Sequence, residues 1–273
     1  MGDAPGDGHV HVILVHGFGC APSKFWYPRL IRELTELGNV STAVPYMPGG
    51  RSPQVDDWLD RLRSQLSQVD PAHSIVLIGH SVGCNALLRL FAQSEAELQQ
   101  PTQQPIPHPM HAQLADETDD AIDACNTCDT RNESGSCNAC AVASAPTRAE
   151  RPSRALPALR RVRGVLCVAG WFSVDEPWEG ILPWCTPIDT AAARRAFEAH
   201  GTALVLLVSD NDRYNADAKG IAATWRAELG ARATVLVAKG HFSSKQQPEV
   251  FAAARKLVEA ARRGEERRPV AAA

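Results

Sequence analysis

The sequence predicts an α/β protein, a doubly wound and mainly parallel sheet with helices on both faces. Three observations predict it. Short apolar, β-branched runs recur along the chain and alternate with stretches whose apolar residues follow a helical period. The polar and titratable residues cluster just after the apolar runs, where ligand-binding loops of such sheets lie. And 273 residues with 44% hydrophobic content can bury one full core.

Taken in order, residues 1–8 are a Gly/Asp/Pro lead. Val10–Val15 (VHVILV) is a strand ended by His16-Gly17-Phe18-Gly19. Ser23–Leu37 reads as a helix with Phe25, Trp26, Leu30, Ile31, Leu34 and Leu37 on its apolar side, and Pro28 fits only in its first turn. Val40–Val44 is a second strand, followed by a Pro- and Gly-rich loop. Val55–Val69 is amphipathic, with Asp56 and Asp57 favouring its N-terminus. Ser74–Ile78 leads into Gly79-His80-Ser81-Val82-Gly83 and then a helical pattern through Phe91. Val162–Val168, Leu204–Val208 and Thr234–Val237 are the remaining strands, and Glu249–Arg262 is the last helix.

Between them, the expected domain is discontinuous, residues 1–92 and 159–262. Residues 93–158 are Gln- and Pro-rich, then acidic, then cysteine-bearing, and read as an inserted low-complexity segment; 263–273 is a frayed tail. The insertion follows a helix that runs back from the Gly79–Gly83 turn at the carboxyl end of its strand, so it is expected on the opposite edge of the sheet. Within it Cys125, Cys128, Cys137 and Cys140 form a C-x2-C-x8-C-x2-C pattern, the spacing of a thiolate zinc site, with reduced cysteines as the competing reading. Cys20, Cys84, Cys167 and Cys185 are scattered and read as small apolar residues.

Net charge of −3 gives no electrostatic reason to expect nucleic acid or an anionic membrane as partner. No apolar run approaches a membrane span. The opening MGDAPGDGHV has neither the basic nor the apolar region of a signal peptide, and Gly6 breaks the myristoylation pattern, so cytoplasm is the expected compartment.

The chemistry is concentrated in G-x-S-x-G between a strand and a helix, a nucleophile elbow with Ser81 at its apex. The glycines leave room for the neighbouring strand and helix, and the helix N-terminus faces the charge that develops in acyl transfer. The backbone N–H groups of Phe18 and Val82 are the candidate oxyanion hole. A serine hydroxyl needs a base, held in turn by a carboxylate. His241 follows one late strand, and Asp212 or Asp210 follows the one before it, with Asp212 preferred because it lies further into the turn. The order Ser, Asp, His is that of an α/β-hydrolase. Trp26, Trp171 and Phe172 are candidates for the substrate pocket, the last two from an aromatic segment, Ala169–Arg194, placed to cap the site.

VILVHGFG with SKFWYPRL, then YMPGG, DDWLDRL, IGHSVGCNALLRL, SDNDRYN and GHF together resemble the small serine hydrolases that include retinoblastoma-binding protein nine and its bacterial relatives. The resemblance spans nearly everything outside the insertion and tails. It implies a compact α/β-hydrolase with Ser81, Asp212 and His241 as triad, esterase-like in mechanism, with some members considered peptidase-like. The insertion departs from that pattern, and no Leu-x-Cys-x-Glu sequence occurs, so binding to the retinoblastoma pocket does not carry over. The resulting expectation is a serine hydrolase of a small ester, thioester or amide, or of a short peptide, without cofactor or catalytic metal. The alternative is a non-catalytic protein of the same fold that recruits a protein partner through the insertion.

Overall fold

The computed structural model describes residues 8–99 and 156–264, which fall in one compact unit. The four cysteines of the candidate zinc pattern and residues 265–273 of the C-terminal tail lie outside the described residues. Six strands form the sheet: β1 (Val10–Val15), β2 (Val40–Ala43), β3 (Ser74–His80), β4 (Val162–Val168), β5 (Ala203–Ser209) and β6 (Arg232–Leu236). Their spatial order is β2-β1-β3-β4-β5-β6, and every neighbouring pair is parallel.

All six carboxyl ends therefore lie along one edge. The chain steps from β1 outward to β2, then crosses back over β1 to β3 and continues in the other direction. The reversal opens a crevice between the carboxyl ends of β1 and β3, where ligands bind in open α/β sheets. His16–Gly19 and Ser81 emerge on its two sides.

Alternation along the strands divides the core in two. Ile13, Val15, Ile75 and Leu77 point to one face, against α2 (Val55–Ser67), α3 (Val82–Gln99), α5 (Thr190–Ala199) and α6 (Ala218–Leu229). Val12, Leu14, Val76 and Ile78 point to the other, against α1 (Tyr27–Thr35) and α7 (Pro248–Arg262). A short helical turn, α4 (Leu156–Leu159), precedes β4. Next to it, the Arg161 guanidinium donates to the His73 carbonyl at 2.8 Å, where β3 begins. The chain thus re-enters the sheet at its amino edge, opposite the crevice.

Three elements differ from the sequence reading. Helix α1 starts at Tyr27 rather than Ser23, with turns before it. Pro28 has no N–H to bond the carbonyl one turn back, so a helix cannot run through it from the N-terminal side. Helix α3 continues to Gln99; Glu95-Ala96-Glu97-Leu98 are good helix formers although composition assigned them to the insertion. The aromatic segment after β4 contains a 3-10 helix, Glu179–Trp184, and the start of α5. That cap is fastened from beneath: Trp184 Nε1–H donates to the Pro53 carbonyl at 2.9 Å, and Arg89 on α3 to the Thr186 carbonyl at 2.5 Å.

Candidate active site

The elbow is shaped by what its glycines avoid. A Cβ on Gly79 would stand 2.7 Å from the Cys84 nitrogen, and one on Gly83 would stand 2.3 Å from the Val15 carbonyl oxygen. Helix α3 can therefore press its first turn against β1 and β3 only because both are glycine. Ser81 between them adopts φ +55°, the left-handed region that non-glycine residues disfavour by on the order of 1–2 kcal/mol. Its N–H donates to the Val168 carbonyl of β4 at 2.8 Å, which secures the strained turn.

Beside it runs the loop after β1. A Cβ on Gly17 would come 3.3 Å from that of Ser81, so the backbone of Gly17-Phe18 passes directly over the serine. Val82, as the first residue of α3, has no acceptor within the helix for its N–H. The loop is held by His16, whose Nδ1–H donates to the Gly17 carbonyl at 2.8 Å while its Nε2 accepts the Met47 N–H at 3.1 Å.

Across the sheet, Ser209-Asp210-Asn211-Asp212 meets the loop after β6 residue by residue. The Asp210 carboxylate accepts the Ala238 N–H (2.9 Å), the Ser209 hydroxyl accepts that of Lys239 (2.9 Å), and the Asn211 side-chain oxygen accepts that of Gly240 (2.7 Å). Asp212 completes the ladder: its Oδ2 accepts Nδ1–H of His241 at 2.7 Å, and its Oδ1 accepts the Tyr214 N–H at 3.0 Å. The two candidate acids are thus separated. Asp210 braces the loop, and Asp212 meets the imidazole. Ala238, Gly240 and Phe242 all have positive φ (56°, 54° and 53°), so this loop needs its many bonds.

Two buried side chains hold it from behind. Trp26 Nε1–H donates to the Phe242 carbonyl at 2.9 Å, and His80 Nε2–H donates to the His241 carbonyl at 3.0 Å. His80 Nδ1 accepts the Tyr27 hydroxyl at 2.6 Å, and that oxygen accepts the Gly17 N–H at 3.3 Å. A chain of hydrogen bonds therefore links the loop over Ser81 to the backbone of His241. Burial, with His241 nearby, pushes the His80 imidazole down to about 3, so it stays neutral and keeps this donor–acceptor pattern.

Ser81 and His241 line one cavity of about 120 Å³. Its walls include Phe18, Trp171, Trp178, Ile181 and Tyr214. Trp171 lies where the sequence reading places it, with Nε1 3.5 Å from Ser81 Oγ. Two other pocket candidates lie elsewhere. Trp26 is fully buried between α1 and the sheet, its indole turned to the Phe242 carbonyl. Phe172 stacks on Trp225, ring centroids 5.4 Å apart, because alternate residues after β4 point to opposite sides and only Trp171 faces the crevice. Among the described residues no group of three His, Cys, Asp or Glu side chains could hold a metal ion, and no helix is long and apolar enough to cross a membrane.

An α/β-hydrolase fold with a serine elbow is the class these features define. Residues 12–132, which include the loop after β1 and the elbow, match the sequence model of the serine hydrolase family. No curated protein sequence matches the chain. Its fold is similar to that of the ydeN gene product from B. subtilis, at TM-score 0.55 and 16% identity over 92% of this chain and 99% of that one. Est1E from Butyrivibrio proteoclasticus follows at TM-score 0.52 and 9% identity, over 93% and 88% of the two chains. A carboxylesterase of the thaumarchaeon Nitrososphaera gargenis gives 0.55 and 12%, over 95% and 93%. The chain has the α/β-hydrolase fold of these neighbours, and its residues 12–132 resemble the serine hydrolase family.

Proposed function

We propose that the protein hydrolyses a small ester, thioester or amide through a Ser81–His241–Asp212 triad and an acyl-enzyme. The observation that carries this reading is the 2.7 Å bond from His241 Nδ1 to Asp212, on the rim of the cavity that holds the left-handed Ser81. With Nδ1–H engaged, Nε2 is free to accept the Ser81 proton. Oγ attacks the scissile carbonyl carbon, and the oxyanion forms against the N–H groups of Phe18 and Val82, each worth on the order of 3 kcal/mol. Collapse expels the leaving group with the proton from Nε2, and a water repeats the sequence to free the acid. Asp212 keeps the tautomer and stabilises the imidazolium.

An ester is the favoured substrate class, because neighbours by fold include a protein named as a carboxylesterase. The cavity, about 120 Å³ and walled by aromatic rings, suits a short acyl group rather than a long chain. A fluorophosphonate probe tests the reading: it should label the wild-type chain and spare Ser81→Ala and His241→Ala. Folded wild type that resists the probe and turns over no para-nitrophenyl acetate would move the protein to the non-catalytic, partner-binding alternative.

A further inference from the structure

The cavity is almost uncharged, with one exception. Phe18, Trp171, Trp178, Ile181 and Tyr214 present carbon, and among the described residues the only side chain with a fixed charge on its lining is that of Arg213. Arg213 is exposed, one residue past Asp212, at the mouth. Two contacts aim it. Its Nη2 donates to the Tyr214 hydroxyl at 2.5 Å, and its Cζ lies 4.6 Å from the centroid of the same ring. Tyr214 itself stands edge-on to His241, ring centroids 4.6 Å apart. The guanidinium is thus tied through one ring to the catalytic imidazole.

Among the described residues no carboxylate forms an ion pair with it. Three acids of the neighbouring loops have other partners: Asp212 bonds His241, Asp175 accepts the Ala216 N–H, and Asp217 accepts the Gly220 N–H, while Glu176 and Glu179 of the cap are exposed to solvent. Where an arginine is oriented beside an apolar pocket and lacks a counter-ion, its remaining N–H groups match an anion from outside, since the planar fork fits carboxylate and phosphate.

We infer that the preferred substrate is an ester carrying an anionic group, a carboxylate in the simplest case, a short distance from the scissile bond, with Arg213 as the residue that selects it. This rests on the serine-hydrolase reading of the site above. The anion sits at the mouth while the small apolar body fills the aromatic cavity. It can belong to the acyl half, as in a half-ester of a dicarboxylic acid, or to the leaving alcohol.

Two matched pairs separate these sources. Para-nitrophenyl butyrate against mono-para-nitrophenyl glutarate places the charge on the acyl side. Phenyl acetate against para-acetoxybenzoate places it on the leaving group. The readout is the ratio of kcat/KM for anionic over neutral ester within one enzyme, corrected for the ratio in plain hydroxide hydrolysis. Any general damage to the triad by a change next to Asp212 cancels in that ratio. Wild type should favour the anionic member of at least one pair by about five- to tenfold at low salt, falling toward one at 0.5 M NaCl. Arg213→Gln should bring the ratio to one or below, and Arg213→Lys should keep part of it. A ratio near one in wild type for both pairs, or a preference that survives Arg213→Gln, overturns the assignment. Failure of the underlying reading looks different: none of the four esters is hydrolysed, or Ser81→Ala hydrolyses them as wild type does.

Discussion

Gly83→Ala is the sharpest test of how the elbow is built. The new methyl would lie 2.3 Å from the Val15 carbonyl oxygen and 3.0 Å from that of His16, both backbone atoms that cannot swing aside. An ordinary carbon–oxygen contact is about 3.3 Å, so the first turn of α3 must retreat from β1 by about 1 Å. That motion carries Ser81 and the Val82 N–H away from the Gly17-Phe18 backbone. A displacement of this size in a reacting group costs about 100-fold in rate. Overpacking adds a stability loss of about 1–3 kcal/mol, which in a domain of this size is a fall in Tm of roughly 2–10 °C. The assay is kcat/KM for para-nitrophenyl acetate together with the rate of fluorophosphonate labelling, at a temperature where near-UV circular dichroism shows the variant folded. Gly79→Ala acts on the same turn from β3 with a 2.7 Å clash, so its loss should fall between those of Gly83→Ala and wild type. A folded Gly83→Ala within threefold of wild type in both assays would refute the claim that close packing of this turn positions the serine.

Three further outcomes follow from the site. Asp212→Asn should lower kcat by on the order of 10³- to 10⁴-fold, because the wrong tautomer of His241 faces Ser81, whereas Asp210→Asn removes only a brace of the loop and should cost under tenfold; equal losses would remove the distinction. His80 ties folding to pH: the unfolded chain takes up a proton near pH 6.5 that the folded chain refuses until about 3. Its contribution is complete above pH 6.5 and is lost as pH falls, by about 2 kcal/mol between pH 6.5 and 5, and burial of His16 acts in the same direction. Urea unfolding at pH 7.5 and 5 should show this loss, and His80→Gln should flatten it. Trp178 packs edge-on against Phe18, centroids 5.2 Å apart, and closes the cavity; Trp178→Ala should shift the best para-nitrophenyl ester from acetate or butyrate toward hexanoate or octanoate, and an unchanged profile would show that the wall lies elsewhere.

Much of this was legible in the sequence. Local periodicity and the glycines of the elbow are properties of neighbouring residues, and they placed β1 to β5 within a residue or two. The order of Ser81, Asp212 and His241 could be read because parallel strands put every strand-end loop on one edge. What escaped the reading is tertiary. Tyr27, His80 and His241 meet across 53 and 161 residues of chain, and no spacing rule encodes that contact. One signal was available: a histidine preceding Ser81 at the end of a buried strand has no access to water and must find partners inside. Trp26 and Phe172 escaped it because an aromatic side chain near the site end of an element packs as readily in the core as in the pocket, and only tertiary packing sets its direction. Ser209-Asp210-Asn211-Asp212 held a further hint, four consecutive hydrogen-bonding side chains just past a buried strand, which is what bracing an adjoining loop requires.

Of the six tryptophans, only Trp171 and Trp178 border the cavity. The indole of Trp171 is buried, and its N–H points at the Ser81 hydroxyl oxygen, 3.5 Å away. Acylation at Ser81, as proposed, would turn that hydroxyl into an ester oxygen and bring the acyl group against the same ring, so the surroundings of one fluorophore would alternate between two states in each turnover. Intrinsic emission should then follow formation and decay of the intermediate with unmodified substrates, with Trp171→Phe as the blank. An indole beside Ser81 would thus serve as an optical reporter and free the search for a substrate from the need for a coloured leaving group.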